Sequence, residues 1–399
     1  MTDKTCPTPE PFGAVLGKII FLTFLFFLSF ISRFIFAPLL PAISNDLDIN
    51  TTQAGSIFLF GSIGVAVGAI FSGFVSSRLS HKGSLEVSIL GAGSILFVCV
   101  FSRSLEAIQL AMLFLGVVAG LNLPSNMAVI TAIVSRQDWG KALAMQQTGP
   151  PLSLILGPLL SALLLPWMSW RAVLAWIAGV LIISGIALAR FGRFGNFPGD
   201  QPGFSNVKAV LVKRSFWIMI ILFAFGIGGH VGLYTMLPLY LVNEHGFGPE
   251  LANAMVGLTQ VSTFFMTFFA GWLSDRLGEK RTIVVFLVIS GGLAVLVGVL
   301  SGSILKVVIF LQPAAAVCFF PAAFAALSRT VQPNLRSLVT SWATPIAFII
   351  GGGLLPAVLG YMGQVLSIGL GVALAGILMM LGSSLVIFLD LLDNMEEGC

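Results

Sequence analysis

Along this chain, apolar stretches of about twenty residues alternate with short polar or Gly/Pro-rich breaks, and the stretches are hydrophobic all round rather than on one face. That pattern predicts helices that cross a bilayer, at 19–42, 53–75, 84–102, 106–134, 142–165, 172–190, 216–243, 251–273, 282–302, 305–327, 338–361 and 367–389. The longest polar break, 191–215, contains Gly192, Gly195, Pro198, Gly199, Pro202 and Gly203, a composition that cannot continue a helix. It separates six predicted helices from six. Landmarks then recur at nearly one offset: Leu40-Pro41 and Leu237-Pro238 lie 197 residues apart, as do Pro124 and Pro321, and Gly73 precedes Gly271 by 198. The expected fold is an all-α integral membrane protein of twelve transmembrane helices in two pseudo-symmetric six-helix bundles, 1–190 and 216–399, joined by a cytoplasmic linker at 191–215.

Composition agrees and excludes a soluble globular domain, because 57% of the residues are hydrophobic and 9% charged, against about one quarter charged in soluble domains. The net charge of +4 is an orientation signal rather than a nucleic-acid one. With the amino terminus placed in the cytoplasm, 16 of the 20 Lys and Arg fall in cytoplasmic segments and three (Arg103, Arg171, Lys306) opposite, with Arg33 inside a helix. A multi-pass protein of the cell membrane, of bacterial inner-membrane type, with both termini cytoplasmic is therefore expected. Cys6, Cys99, Cys318 and Cys399 show no metal spacing, and the residues before the first span do not read as a signal peptide. No metal, cofactor or nucleic acid is expected, and the chain is expected to act as a monomer.

The segment Gly271-Trp-Leu-Ser-Asp275-Arg276-Leu-Gly278-Glu-Lys280-Arg281 resembles the cytoplasmic loop signature of the major facilitator superfamily. Its first-half counterpart, Gly73-Phe-Val-Ser-Ser77-Arg78-Leu-Ser-His-Lys82, resembles it with Ser77 in place of the acid, and Trp170-Arg171 entering the sixth span is also similar to that superfamily. The resemblance covers almost the whole chain and implies a secondary carrier working by alternating access. It also implies that Gly73, Arg78, Gly271, Asp275, Arg276 and Lys280 form conformational latches. Physically, a small glycine would let two helices approach while Asp275 pairs with Arg276 and Lys280 at the membrane face.

A carrier of this kind binds its substrate near the bilayer midplane, so the embedded polar groups are the candidates. All 16 Asp and Glu fall in loops, tails or helix ends, leaving Arg33 and His230 as the embedded ionisable groups. Each stands eight residues before its repeat's proline, Pro41 or Pro238, and the two are expected to face each other across the pseudo-two-fold axis. An arginine at the membrane centre costs roughly 2.5–3.5 kcal/mol on the insertion scale, and no embedded carboxylate offsets it. An unpaired guanidinium is a ready fork for carboxylate, sulfonate or phosphate oxygens. His230 can carry a proton alongside an anion. Asn122, Gln147, Tyr234, Gln260 and Trp342 complete the expected substrate site.

Three functions follow, and they separate on these residues. The first is a secondary carrier of a small organic anion, a monocarboxylate or sulfonate, with a proton as candidate co-substrate; superfamily members that carry organic anions similarly hold a cation in the first span. The second is a proton-driven exporter of drugs or metabolites, suggested by Gly149-Pro150-Pro151 through Gly157-Pro158. It is opposed by Gly116 where an arginine is usual and by the missing embedded acid. The third, a receptor that binds without transport, would need a signalling appendage, and none follows Phe388. No carboxylate dyad, nucleotide loop or metal spacing supports an enzyme.

Overall fold

A computed structural model describes residues 12–199, 211–332 and 336–391. Lys4, Cys6 and Cys399, and Lys208 and Gly203 of the expected linker, lie outside the described residues. Helices dominate: α1 (Phe12–Phe34), α2 (Phe36–Leu47), α3 (Thr51–Cys99), α4 (Leu105–Gly120), α5 (Asn122–Ile133), α6 (Trp139–Gln146), α7 (Gly149–Leu164) and α8 (Trp170–Phe191) come first. After the linker follow α9 (Arg214–Ile227), α10 (Leu233–Asn243), α11 (Pro249–Leu277), α12 (Glu279–Val299), α13 (Gly302–Val317), α14 (Phe319–Ser328), α15 (Arg336–Phe348), α16 (Leu355–Val365) and α17 (Ile368–Gly382).

Among the described residues nine helices are long and apolar enough to cross a membrane, or ten if the pair Pro249–Thr267 and Phe269–Leu277, bent by 49°, counts as one. The difference from twelve has three sources. The second and third sequence spans run together in the 49-residue α3, whose length of about 74 Å is more than twice a bilayer core of about 30 Å. The fifth is split between α6 and α7, each too short alone. The eighth is the bent pair.

The elbow inside α3 sits at Ser80, with φ 70° and ψ 167°. Its repeat counterpart Gly278, between α11 and α12, has φ 78° and ψ 156°. One backbone geometry thus recurs 198 residues apart, in a region essentially reserved for glycine. Ser80 tolerates it by accepting a hydrogen bond from the backbone N–H of Gly83 at 3.3 Å, capping the rising helix. Strain of this kind costs about 1–3 kcal/mol, and loss of the serine cap to glycine costs only a few tenths. Ser80→Gly is therefore expected to stabilise the protein by about 1 kcal/mol, read as a higher melting temperature in detergent. A lower melting temperature would contradict the strain.

The chain divides into two compact units, Met1–Ile43 with Ile63–Pro202, and Ser44–Ser62 with Gly203–Cys399. In the first, α3 and α4 cross on small residues: a Cβ added to Gly120 would lie 2.5 Å from the Val65 carbonyl oxygen and 2.6 Å from the Ala69 nitrogen. Without a hydrophobic drive between helices in lipid, such close backbone approach supplies the attraction. The second unit repeats the device between α12 and α17, where a Cβ on Gly291 would meet the Gly376 carbonyl oxygen at 2.6 Å and one on Gly298 the Ala373 nitrogen at 2.8 Å. Within its largely aliphatic core, Phe223 and Phe319 pack edge to face at 5.7 Å.

Two glycine-rich π-helical turns, Gly228–Gly232 between α9 and α10 and Ile349–Leu354 between α15 and α16, pack against each other in this unit. A Cβ on Gly351 would stand 2.7 Å from the Gly228 nitrogen, and the Ala224 carbonyl oxygen is closer still. The segment Ser44–Ser62 packs beside α16, where the side chains of Thr52 and Gln364 are hydrogen-bonded at 2.7 Å.

Candidate functional site

In the first unit, the break after Phe34 positions Arg33 on the last turn of α1. Pro38 has no N–H to give the Phe34 carbonyl, so the helix interrupts at Ile35 before α2 resumes. Arg33 is 7% exposed. Its guanidinium carbon lies 5.2 Å from the Phe30 ring centroid and 5.4 Å from that of Phe34, within cation–π range. Phe26 stacks edge to face on Phe30 at 5.0 Å, extending the aromatic row down one helix face. Arg33 Nε is buried without a hydrogen-bond partner. Among the described residues the guanidinium makes no ion pair.

The amides of the same unit hydrogen-bond between helices. Asn122 is fully buried and its Nδ2 donates to Ser88 Oγ at 3.3 Å. Asn126 Nδ2 donates to the Leu22 carbonyl at 2.9 Å, and Gln146 Nε2 to Asn126 Oδ1 at 3.2 Å. This chain ties α1, α3, α5 and α6 together, as amides in lipid must find partners. Gln146, not its neighbour Gln147, points into the bundle; Gln147 is exposed at the break between α6 and α7.

In the second unit, His230 occupies the first π-turn and lines a pocket together with Tyr234, Thr259, Gln260 and Gln312. A π-turn is a common marker of a functional position in a helix. Gln312 is anchored, its Nε2 donating to the Gly229 carbonyl at 2.9 Å and to Ser290 Oγ at 3.1 Å. His230 Nε2 and Gln260 Oε1 are both buried without a partner. Tyr234 is 2% exposed on the pocket wall. Trp342, on α15, packs against the core of this unit and does not line this pocket. Gly226, Gly228 and Gly229 are filled against Phe319, Leu355 and Met379, so helix packing accounts for them.

The residues expected to form latches flank the two elbows at Ser80 and Gly278. Arg78 lies over the Phe74 ring at 4.2 Å and Arg276 over the Trp272 ring at 4.3 Å, the same pairing in each repeat. Asp275, Arg276 and Lys280 are exposed, and among the described residues Asp275 forms no ion pair. The salt bridge on this face is Glu279–Arg329 at 2.8 Å. A Cβ on Gly271 would meet nothing within 4 Å, so no close helix approach depends on it. In the first unit Lys82 pairs with Glu86 at 3.5 Å, and the linker docks on the elbow: His81 N–H donates to the Phe197 carbonyl at 3.1 Å, and Lys82 N–H to that of Gly195 at 2.9 Å.

Sequence reasoning passed over Phe30 and Phe34, the Glu279–Arg329 pair and the two π-turns. The signals were present: phenylalanines at i−3 and i+1 about Arg33, and glycine clusters at 228–232 and 351–353.

Similar proteins narrow the class. The gallate transporter of Pseudomonas putida is 25% identical over 380 residues, covering 84% of this chain and 82% of that protein. The 4-hydroxybenzoate transporter PcaK of Acinetobacter baylyi is 24% identical, covering 82% and 79%. A bacterial homologue of the human lysosomal transporter Spinster, in an inward-facing and unoccupied conformation, superposes with a TM-score of 0.76 at 16% identity, covering 94% of each chain. The family model of the major facilitator superfamily matches residues 22–354 and 241–397. With apolar helices repeated along nearly its whole length and that family pattern spanning them, the chain is a multi-pass membrane transporter and belongs to the major facilitator superfamily.

Proposed function

We propose that this transporter carries small organic anions, with aromatic monocarboxylates as the substrate class, by alternating access, and that a proton accompanies the anion. The observation that carries the reading is Arg33, buried, without an acidic partner and flanked by Phe30 and Phe34. The guanidinium supplies two parallel N–H donors to a carboxylate. The phenylalanines supply faces for a ring to pack on. The gallate and 4-hydroxybenzoate transporters are named for substrates of that chemistry. His230 is the proton acceptor, since it is the embedded group that titrates nearest neutrality when solvated. The positive-inside distribution of Lys and Arg supports cytoplasmic termini in the cell membrane.

A thermal-shift comparison tests the substrate class. Benzoate at about 100 times its dissociation constant should stabilise the purified protein by about 2.7 kcal/mol, while the neutral isostere benzamide should not. Stabilisation by tetraphenylphosphonium in place of benzoate would reverse the reading in favour of an exporter of lipophilic cations.

A further inference from the structure

The first unit holds a groove that takes no part in the site around Arg33. It lies between α1, α7 and α8, has a volume of about 350 Å³ and presents no polar surface. Its floor is Leu28, Ile31 and Val173, at most 3% exposed, and its rim is Phe24, Trp176 and Val180, 39–67% exposed. The lining positions keep helical spacing on both walls, 24, 27, 28 and 31 on α1 and 173, 176, 177 and 180 on α8. Each helix therefore turns one continuous face to the groove. Phe24 and Phe27 stack along one wall with ring centroids 6.0 Å apart. Apart from the Trp176 indole, no lining side chain carries a nitrogen or oxygen.

Three features say what fills it. Apolar cavities stay dry, and one of about 150 Å³ already admits benzene, so this space suits an apolar group rather than water. Its walls offer no donor to a carboxylate. The rim continues along α8 from Trp176 and Val180 to Ile183, 69% exposed, at i, i+4 and i+7, and on a membrane-spanning helix such an apolar outer face meets lipid. The length fits as well. One end is Met168 in the α7–α8 turn, next to Trp167, which is 84% exposed, as tryptophans at the bilayer–water boundary are. From Val173 to Val180 the groove descends seven residues, about 10 Å, within the roughly 15 Å of one hydrocarbon leaflet. Left empty, it would forfeit the dispersion contacts of its walls, which in lipid are what hold helices together.

We propose that this groove binds one acyl chain of a membrane phospholipid, which enters at the α7–α8 turn and lies along Leu28 and Ile31. The chain fills a wall of the unit that side chains leave open. Arg33 stands two residues beyond Ile31 on the same helix, so the bound lipid braces the part of α1 that positions the guanidinium. The lipid site is independent of which substrate is carried.

The test is photo-crosslinking of the full-length protein in liposomes, with a phosphatidylcholine that carries a diazirine midway along one acyl chain as the probe. Insertion sites are read by peptide fragmentation in a mass spectrometer. Lipid that only surrounds the protein reaches outward residues such as Leu163 and Ile183, 65% and 69% exposed, and not the buried floor. Label on Leu28, Ile31 and Val173 should match that on Ile183. In Leu164→Trp and Ile177→Trp, which fill the groove with an indole, the floor label should fall at least tenfold while the Ile183 label stays within twofold. Label confined to exposed residues in the unsubstituted protein would overturn the site, whether or not the filled variants fold. Floor label that persists in a folded, filled variant would overturn it too, because the chain would then be reaching those residues by another path.

Discussion

Arg33→Gln should abolish the binding and uptake of benzoate while leaving the protein folded. Removing one partner of a buried, hydrogen-bonded charge pair costs about 2–5 kcal/mol, equivalent to a loss of about 30-fold to several thousand-fold in affinity. Stability should move the other way or not at all. The free protein carries a guanidinium that is 7% exposed, packs on the Phe30 and Phe34 rings and makes no ion pair among the described residues. Gln removes an insertion penalty of roughly 2.5–3.5 kcal/mol. Loss of transport without loss of melting temperature is the signature of a binding group kept at a cost to stability. Arg33→Lys should fall between the two, because an ammonium keeps the charge but loses the planar fork and its stacking on Phe30 and Phe34. Benzoate uptake and thermal shift unchanged in Arg33→Gln would refute the anion site.

The second large effect concerns stability. Gly351→Ala would force a methyl group to 2.7 Å from the Gly228 nitrogen and closer to the Ala224 carbonyl oxygen. Both are backbone atoms in a helix and cannot swing aside, so the two π-turns must separate. Overpacking of this kind typically costs about 1–3 kcal/mol, and a backbone-on-backbone clash lies at the upper end; because His230 sits in one of the turns, the separation should also lower uptake in whatever protein remains folded. Gly271→Ala is the control. Its Cβ would meet nothing within 4 Å, and it should leave the melting temperature within a degree or two of the original. Equal losses in the two variants would mean that glycine content, rather than the π-turn crossing, sets stability.

That pair of glycines also measures how far sequence reading reaches. Gly271 stands in the recognisable loop signature and reads from sequence as the site of close helix approach. In the structure it has open space, and the tight crossings fall on Gly120, Gly291, Gly298 and Gly351, none of which belongs to that signature. The amides divide the same way: Gln146 enters the bundle and its neighbour Gln147 does not, a rotation of about 100° around a helix that nothing in two adjacent glutamines reveals. The positions of the elbows, by contrast, follow from the predicted spans, since Ser80 falls in the gap between 75 and 84 and Gly278 in the gap between 273 and 282. Gly278 and its counterpart Ser80 occupy equivalent places in the repeated segment, and both adopt the same positive-φ geometry.

By itself, then, the sequence determined the class of molecule, the apolar helices and the two-fold repetition, and it singled out Arg33 and His230 as the ionisable groups expected inside those helices. Lipid imposes that legibility, since a chain in hydrocarbon must satisfy its backbone within helices and cannot bury charge without a reason. Tertiary structure alone decided which face each helix turns to its neighbours. It set Phe30 and Phe34 about Arg33, gave the Asn122 and Gln146 amides to helix packing, and put His230, Tyr234 and Gln260 on the wall of one pocket. The reason is that a helix apolar all round carries no amphipathic stripe to fix its rotation, so the choice falls to the fit of side chains and the close approach of glycines.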